Sequence, residues 1–232
     1  MPSEWTNAIE RARDNAPFLA RCLDRLPDLA ALLAAGDADA AFDYCAHAGD
    51  GAEVGVALRR ERLALALTLA IGDLAGAFTL DDVMTRLSAF ADDALDRAIR
   101  EAAKVRTGID STDGFFALAL GKHGACELNY SSDIDPILLF DPDVLASGER
   151  STPPETAQRM ARDIVRLLSD HTEEGYVFRV DLRLRPASEI TPLAVSINAA
   201  ASHYESAALP WERAAFIRAR SAAGDVARGE RF

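Results

Sequence analysis

Up to about residue 105 apolar side chains recur every three or four positions, whereas beyond Thr107-Gly108 they gather into short unbroken runs. The first spacing belongs to helices and the second to buried strands, so the chain must fold as a helical region followed by a mixed one. The first region is rich in Ala, Leu, Arg and Asp, with brief punctuation at Gly36, Gly49-Asp50-Gly51 and Gly72. Thr79 reads as an N-cap with Asp82 three residues on. Val83, Leu87, Ala91, Leu95, Ile99 and Ala102 then form one apolar stripe. The preceding run, 54–74, is apolar on most faces apart from Arg59, Arg60 and Arg62, as expected of a helix buried between neighbours with one solvated arginine face. Residues 1–105 are therefore expected to form an all-helical N-terminal bundle.

Residues 106–232 have a different pattern. The runs 115–120, 137–140 and 176–180 predict strands, the first ending at Gly121 and the second at Asp141-Pro142-Asp143. Thr152, Pro153 and Glu155 spell an N-cap, a first-turn proline and a capping box. The helix they open turns Met160, Ile164 and Leu168 inward, flanked by Ala161 and Val165. Two more helices are expected, over about 198–207 and 210–227, so the fold class is α+β, a helical bundle followed by a mixed-sheet domain.

The net charge of −12 argues against a general nucleic-acid binder, because such proteins gain affinity by neutralising phosphates with Lys and Arg. Cys22, Cys45 and Cys126 are odd in number and far apart, offering neither a disulfide framework nor a zinc site. With no membrane-spanning run and no basic-then-apolar leader, a soluble cytoplasmic protein without a membrane partner is expected.

Chemistry concentrates around Ser131-Ser132-Asp133-Ile134-Asp135. In an extended chain alternate side chains share a face, so Asp133 and Asp135 project together while Ile134 points into the packing. Two adjacent carboxylates repel, and a hard divalent cation such as Mg²⁺ or Mn²⁺ relieves that repulsion. Taken alone, the pair reads equally well as a solvated acidic turn. The same period of two places Asp181, Arg183 and Arg185 on one face, adding a third acid for two metals and two guanidinium groups for phosphate oxygens. That face reads otherwise as the charged outside of an edge strand. Upstream, Gly121, Lys122 and Gly124 form a small-residue loop through which backbone N–H groups approach a phosphate, and Ser131 and Ser132 add hydroxyl and amide contacts. His123 reads as a polar loop residue, and Trp211-Glu212-Arg213 as a helix anchor. Pro136 removes a donor from an expected central strand, so either that edge is unpaired or the strand begins later.

The segment Gly121-Lys122-His123-Gly124-Ala125-Cys126-Glu127-Leu128-Asn129-Tyr130-Ser131-Ser132-Asp133-Ile134-Asp135 resembles the signature of the bifunctional glutamine synthetase adenylyltransferase and adenylyl-removing family. Arg179-Val180-Asp181-Leu182-Arg183-Leu184-Arg185-Pro186, Trp211-Glu212-Arg213, Arg218-Ala219-Arg220 and Ala16-Pro17-Phe18-Leu19-Ala20 agree with it. Three positions, His123, Ala125 and Cys126, depart from the family's usual aliphatic residue, Gly and varied residue. The family carries two nucleotidyltransferase domains of the polymerase β type; this chain has room for one, and the resemblance implies that it is shortened on its C-terminal side. The resemblance is to the N-terminal, adenylyl-removing half. It implies Mg²⁺ or Mn²⁺ on Asp133, Asp135 and Asp181, with Arg183 and Arg185 on phosphate. It also implies phosphorolysis of AMP from a tyrosine of adenylylated glutamine synthetase to give ADP, under control of a PII signal protein in the full-length enzyme. Transfer of AMP from ATP onto a protein, and a non-catalytic docking module for glutamine synthetase or PII, are the alternatives.

Overall fold

A computed structural model describes residues 3–148 and 151–232. Packing divides the chain into two compact units, Met1–Arg86 and Leu87–Phe232. The division falls inside a long helix, most of which belongs to the second unit, whereas the change of spacing along the sequence comes only after that helix ends.

The first unit holds α1 (Glu4–Asn15), α2 (Pro17–Arg25), α3 (Pro27–Ala35), α4 (Ala38–His47), α5 (Val54–Leu74) and the start of α6 (Leu80–Thr107). Pro17 and Pro27 open α2 and α3. A proline bars the residue before it from helical angles, so Ala16 and Leu26 turn the chain while giving their own N–H groups to the carbonyls of Ala12 and Cys22. In α5 the side chains of Leu58, Leu67, Leu69 and Ile71 are fully buried. Arg59 is buried too, donating to the Gly55 carbonyl at 2.6 Å, and Glu61 beside it is buried, so the arginine cluster is not the uniformly solvated face expected. The Asp82 N–H donates to Thr79 Oγ1 at 3.2 Å and the Thr79 N–H to Asp82 Oδ2 at 2.8 Å, which completes the predicted cap. Every predicted stripe position of α6 is buried. No described helix is long and apolar enough to cross a membrane.

The second unit continues with β1 (Phe115–Leu120), α7 (Gly121–Gly124), β2 (Asp135–Phe140), α8 (Pro153–Ser169), β3 (Ala194–Ser196), α9 (Ile197–Ser206), α10 (Pro210–Phe216), β4 (Arg220–Gly224) and α11 (Val226–Gly229). The strands form one sheet in the order β3-β2-β1-β4. β1 runs antiparallel to β2 and β4, β2 runs parallel to β3, and Leu120 lies opposite Asp135. Helices and a mixed sheet make the fold α+β. On one face Phe116, Leu118, Leu120, Ile137, Leu139 and Val195 pack with Ala200, joined by the half-buried Leu184 and Phe216. Phe115, Ala117, Ala119 and Leu138 are equally buried, which is why both central strands read as continuous apolar runs. The capping box of α8 forms as the sequence predicts, with Met160, Ala161, Ile164 and Leu168 buried. From the same helix the Gln158 side-chain amide donates to the Ala194 carbonyl at 2.7 Å and accepts the Ala194 N–H at 3.2 Å.

Two expectations are corrected, and the unpaired-edge reading of Pro136 is met. Residues 176–180 are not a strand: only Val180 pairs, in an isolated parallel bridge with Ile134, and the β2 edge is taken over by β3 instead. The helix expected over 210–227 stops at Phe216, and Arg220–Gly224 pairs with β1. Its alanines favour a helix, but the open edge of β1 offers hydrogen bonds that local propensity cannot match. Pro136 lies within β2 opposite Ala119. By the alternation of a strand its missing N–H faces the same way as that of Ile134. It falls in the gap where the parallel partner has left after Asp181 and not yet returned at Ala194, so no hydrogen bond is forfeited.

A polar clamp fixes α7 to the sheet. His123 is fully buried, and its Nε2 lies 2.8 Å from Asp92 Oδ1 on α6. Arg220 of β4 gives Nη1 and Nη2 to the same carboxylate at 2.8 and 2.9 Å and Nη2 also to the His123 carbonyl at 3.2 Å. Burial alone would raise the Asp92 pKa, but the bonds from His123 and Arg220 outweigh it and hold the group below its usual range.

Two outcomes follow from this packing. At Gly72 an added Cβ would lie 2.1 Å from the Phe78 ring, which is itself packed against Trp5 and Phe42. Gly72→Ala should therefore destabilise by about 1–3 kcal/mol in a urea titration, despite alanine's better helix propensity. Because the folded-state pKa of Asp92 is depressed, its contribution is complete above about pH 5 and is lost as the pH falls through the lowered folded value. Asp92→Asn should cost about 1–3 kcal/mol at pH 7 and flatten the acid limb of the stability profile. An unchanged limb would show that Asp92 carries no such linkage.

Candidate active site

Two backbone hydrogen bonds bring the acidic segments together. The Ile134 N–H donates to the Arg179 carbonyl at 3.0 Å, and the Asp181 N–H donates to the Ile134 carbonyl at 2.9 Å. Ile134 is buried, so Asp133 and Asp135 alternate away from it, with Asp181 beside them on the parallel segment. The predicted adjacency of these three acids is thus met, through a bridge rather than a full strand.

The three differ in surroundings. Asp135 is half-buried, and burial first, then the charges of Asp181 and Asp133, push its pKa above the ordinary value, with His123 and Arg183 offsetting part of the rise. Asp181 moves the other way: the Arg183 side chain and backbone N–H hold its pKa down against its burial. Arg183 Nε lies 2.9 and 2.8 Å from the two oxygens of Asp181, Nη2 also bonds Oδ2, and the Arg183 N–H donates to Oδ1 at 2.9 Å. Asp133 accepts from Arg179 Nε at 2.5 Å, and the same guanidinium gives Nη2 to the Ser131 carbonyl at 2.6 Å.

The small-residue loop serves the site differently from what its sequence suggests. Gly121 has a φ of +57°, and a Cβ there would lie 2.7 Å from Asp135 Oδ2, so glycine leaves room for that carboxylate. Gly124 is required by packing, since its Cβ would meet the Arg218 carbonyl at 2.1 Å. Lys122 is exposed. Ser132 Oγ accepts the Asn129 N–H at 3.0 Å and the Ser131 N–H goes to Asn129 Oδ1 at 3.1 Å, so both serines are engaged in their own turn.

Arg185 is the clearest departure. After Leu182 the chain enters turns, and the Arg185 guanidinium folds back to the carbonyls of Leu182, Ser188, Thr191 and Pro192 at 2.7, 2.6, 3.1 and 3.1 Å. It braces the turn rather than facing the acids, because the period of two on which its role depended ends with the extended segment. Trp211 is half-exposed, and the anchor is Glu212 beside it. Glu212 accepts from the Leu209 and Ala187 N–H groups at 2.7 and 3.3 Å and pairs with His203 at 2.9 Å. Sequence reasoning missed Arg179 and the Asp92-His123-Arg220 clamp. For Arg179 a signal existed, since it stands two residues before Asp181 on the same face; the clamp joins residues far apart in sequence and left none.

Among the described residues no three of His, Cys, Asp and Glu stand ready to hold a metal ion. Arg179 and Arg183 take up two of the three acids. The donor chemistry nonetheless fits a hard divalent cation: all three groups are carboxylates, and Asp135, raised by burial first and then by the charges of Asp181 and Asp133, is a group whose charged form such an ion favours.

The model of the family described as glutamate-ammonia ligase adenylyltransferase matches residues 7–232. A bifunctional glutamine synthetase adenylyltransferase/adenylyl-removing enzyme of Caulobacter vibrioides is 42% identical over 95% of this chain and 23% of its own length. The enzyme of the same name from Rhizobium meliloti is 42% identical over 78% of this chain and 20% of its own. The chain thus spans less than a quarter of the length of these relatives. With that match running nearly end to end, the chain belongs to the glutamate-ammonia ligase adenylyltransferase family.

Proposed function

We propose that the chain carries the adenylyl-removing site of its family, which takes AMP from a tyrosine of adenylylated glutamine synthetase by phosphorolysis. The observation that carries this reading is the convergence of Asp133, Asp135 and Asp181 with Arg179 and Arg183 on two adjacent backbone segments. The relatives' names support the chemistry on glutamine synthetase, and the Glu127-to-Asp135 motif supports the removing half.

Asp133, Asp135 and Asp181 would hold Mg²⁺ or Mn²⁺, which supplies positive charge to the phosphoryl group and the departing phenolate. Arg183, largely exposed, would take phosphate oxygens bidentately once its fork leaves Asp181. An oxygen of inorganic phosphate forms the new bond to the AMP phosphorus as the bond to the tyrosine oxygen breaks. ADP and a tyrosine that recovers its proton are the products. No side chain need act as nucleophile. Arg185 belongs to the scaffold in this reading, and Lys122, Gly121, Gly124, Ser131 and Ser132 shape the loop in front of the acids. A PII-type protein would act on the full-length enzyme.

Mixing the chain with adenylylated glutamine synthetase, phosphate and Mg²⁺ should release ADP. Asp135→Asn and Asp181→Asn should each lower that rate at least about 100-fold. Labelled ATP with unmodified glutamine synthetase reads the opposite direction; label transfer without ADP release would make the site an adenylylating one. Binding to glutamine synthetase without turnover in either assay would make it a docking module. Arg183→Gln should raise KM for phosphate, whereas Arg185→Gln should lower the melting midpoint, by about 1–3 kcal/mol of stability, because four carbonyls lose their donor.

A further inference from the structure

We infer that Arg183 is a displaceable counter-ion: a divalent cation entering at Asp181 must break its chelate, and the released guanidinium then serves phosphate, so that metal and phosphate bind cooperatively. This rests on the functional reading above.

The argument starts from acceptor capacity. A carboxylate offers about four lone-pair directions. At Asp181 Oδ1 receives the Arg183 N–H and Nε, and Oδ2 receives Nε and Nη2. With the single Nε hydrogen shared between the two oxygens, three N–H groups of Arg183 occupy most of the acceptor directions of Asp181, and its guanidinium lies across both oxygens, where a metal ion would have to approach. Asp133 differs, since its bond from Arg179 engages Oδ1 alone.

Arg183 is also the arginine free to move. Its side chain is 85% exposed against 18% for Asp181. Arg179 is tethered by the Ser131 carbonyl and the Tyr176 hydroxyl at 2.6 and 3.4 Å, and Arg185 by four carbonyls. The guanidinium end of the pair is the exposed one, so water can take over its N–H groups as it leaves Asp181. On the other side stands Asp135, to which no guanidinium is hydrogen-bonded among the described residues and whose pKa burial, Asp181 and Asp133 raise. A doubly charged ion answers Asp135 and Asp181 together, which one guanidinium on Asp181 does not.

Release leaves a fork of N–H donors beside the cation, suited to a phosphate oxygen pair. Phosphate holding Arg183 away from Asp181 would in turn favour the metal, since linkage between two ligands is reciprocal.

The test is a Mn²⁺ titration of the whole chain followed by the electron paramagnetic resonance signal of free Mn²⁺, with and without inorganic phosphate. Arg183→Gln should bind Mn²⁺ about two- to fivefold more tightly than the wild type without phosphate. Phosphate should tighten Mn²⁺ binding by a comparable factor in the wild type and leave the variant unchanged. Arg183→Lys keeps the charge but cannot chelate, so it should also bind more tightly than the wild type. Affinity in Arg183→Gln equal to or weaker than wild type, a phosphate effect that survives in it, or Arg183→Lys matching wild type would each overturn displacement. Asp135→Asn separates the two layers. If it keeps wild-type Mn²⁺ affinity, the metal reading fails and the inference with it; if it loses Mn²⁺ while Arg183→Gln gains nothing, the inference alone fails. Uptake by Arg183→Gln where the wild type takes none would support displacement, and uptake by neither would end both.

Discussion

The site depends on one parallel bridge. Ile134 exchanges hydrogen bonds with Arg179 and Asp181, and those two contacts decide that Asp181, far along the chain, shares a surface with Asp133 and Asp135. A parallel partner cannot be reached by a tight turn; it needs a crossover, and here α8 supplies it. The helix is started by its capping box and ended where the Leu168 carbonyl accepts both the Val177 and Phe178 N–H groups at 2.9 and 3.0 Å. Local chemistry at the two ends of α8 therefore sets a long-range register, and the register sets the charge cluster.

Interactions that close within a few residues were legible in the sequence. The Thr79 and Thr152 caps, the α6 stripe, the buried runs of β1 and β2 and the alternation around Ile134 all follow from spacing and residue type. What escaped was decided elsewhere in the chain. Arg220–Gly224 looks helical until the open edge of β1 is known. Residues 176–180 have strand composition, yet β3 occupies most of the edge they would need. The face assigned to Arg185 was correct only as long as the chain stayed extended, and the turn after Leu182 ended that. His123 looked idle because Asp92 and Arg220, its partners, lie on other elements.

The arginines show where an acidic chain places its positive charge. Arg220 neutralises Asp92, Arg228 bonds Asp141 and Asp225, and Arg179 takes Asp133. These guanidinium groups act as internal ties between elements, and Arg185 does the same for carbonyls. Counting charges therefore says little about which cations remain for a ligand. Position decides it: Arg183 stands on the exposed side of its acid, with a planar fork and nothing but Asp181 to hold it.

The amide of Gln158 has a consequence beyond its own helix. β3 is three residues long and forms one margin of the sheet, and the N–H and C=O of Ala194 that turn away from β2 are both taken by that side chain. An unoccupied pair there would be a template for an extended segment of another molecule, the first step of edge-to-edge growth. With one glutamine standing where a further strand would pair, Ala194 offers neither a free N–H nor a free carbonyl to an incoming strand, and no charge or proline is spent on covering it.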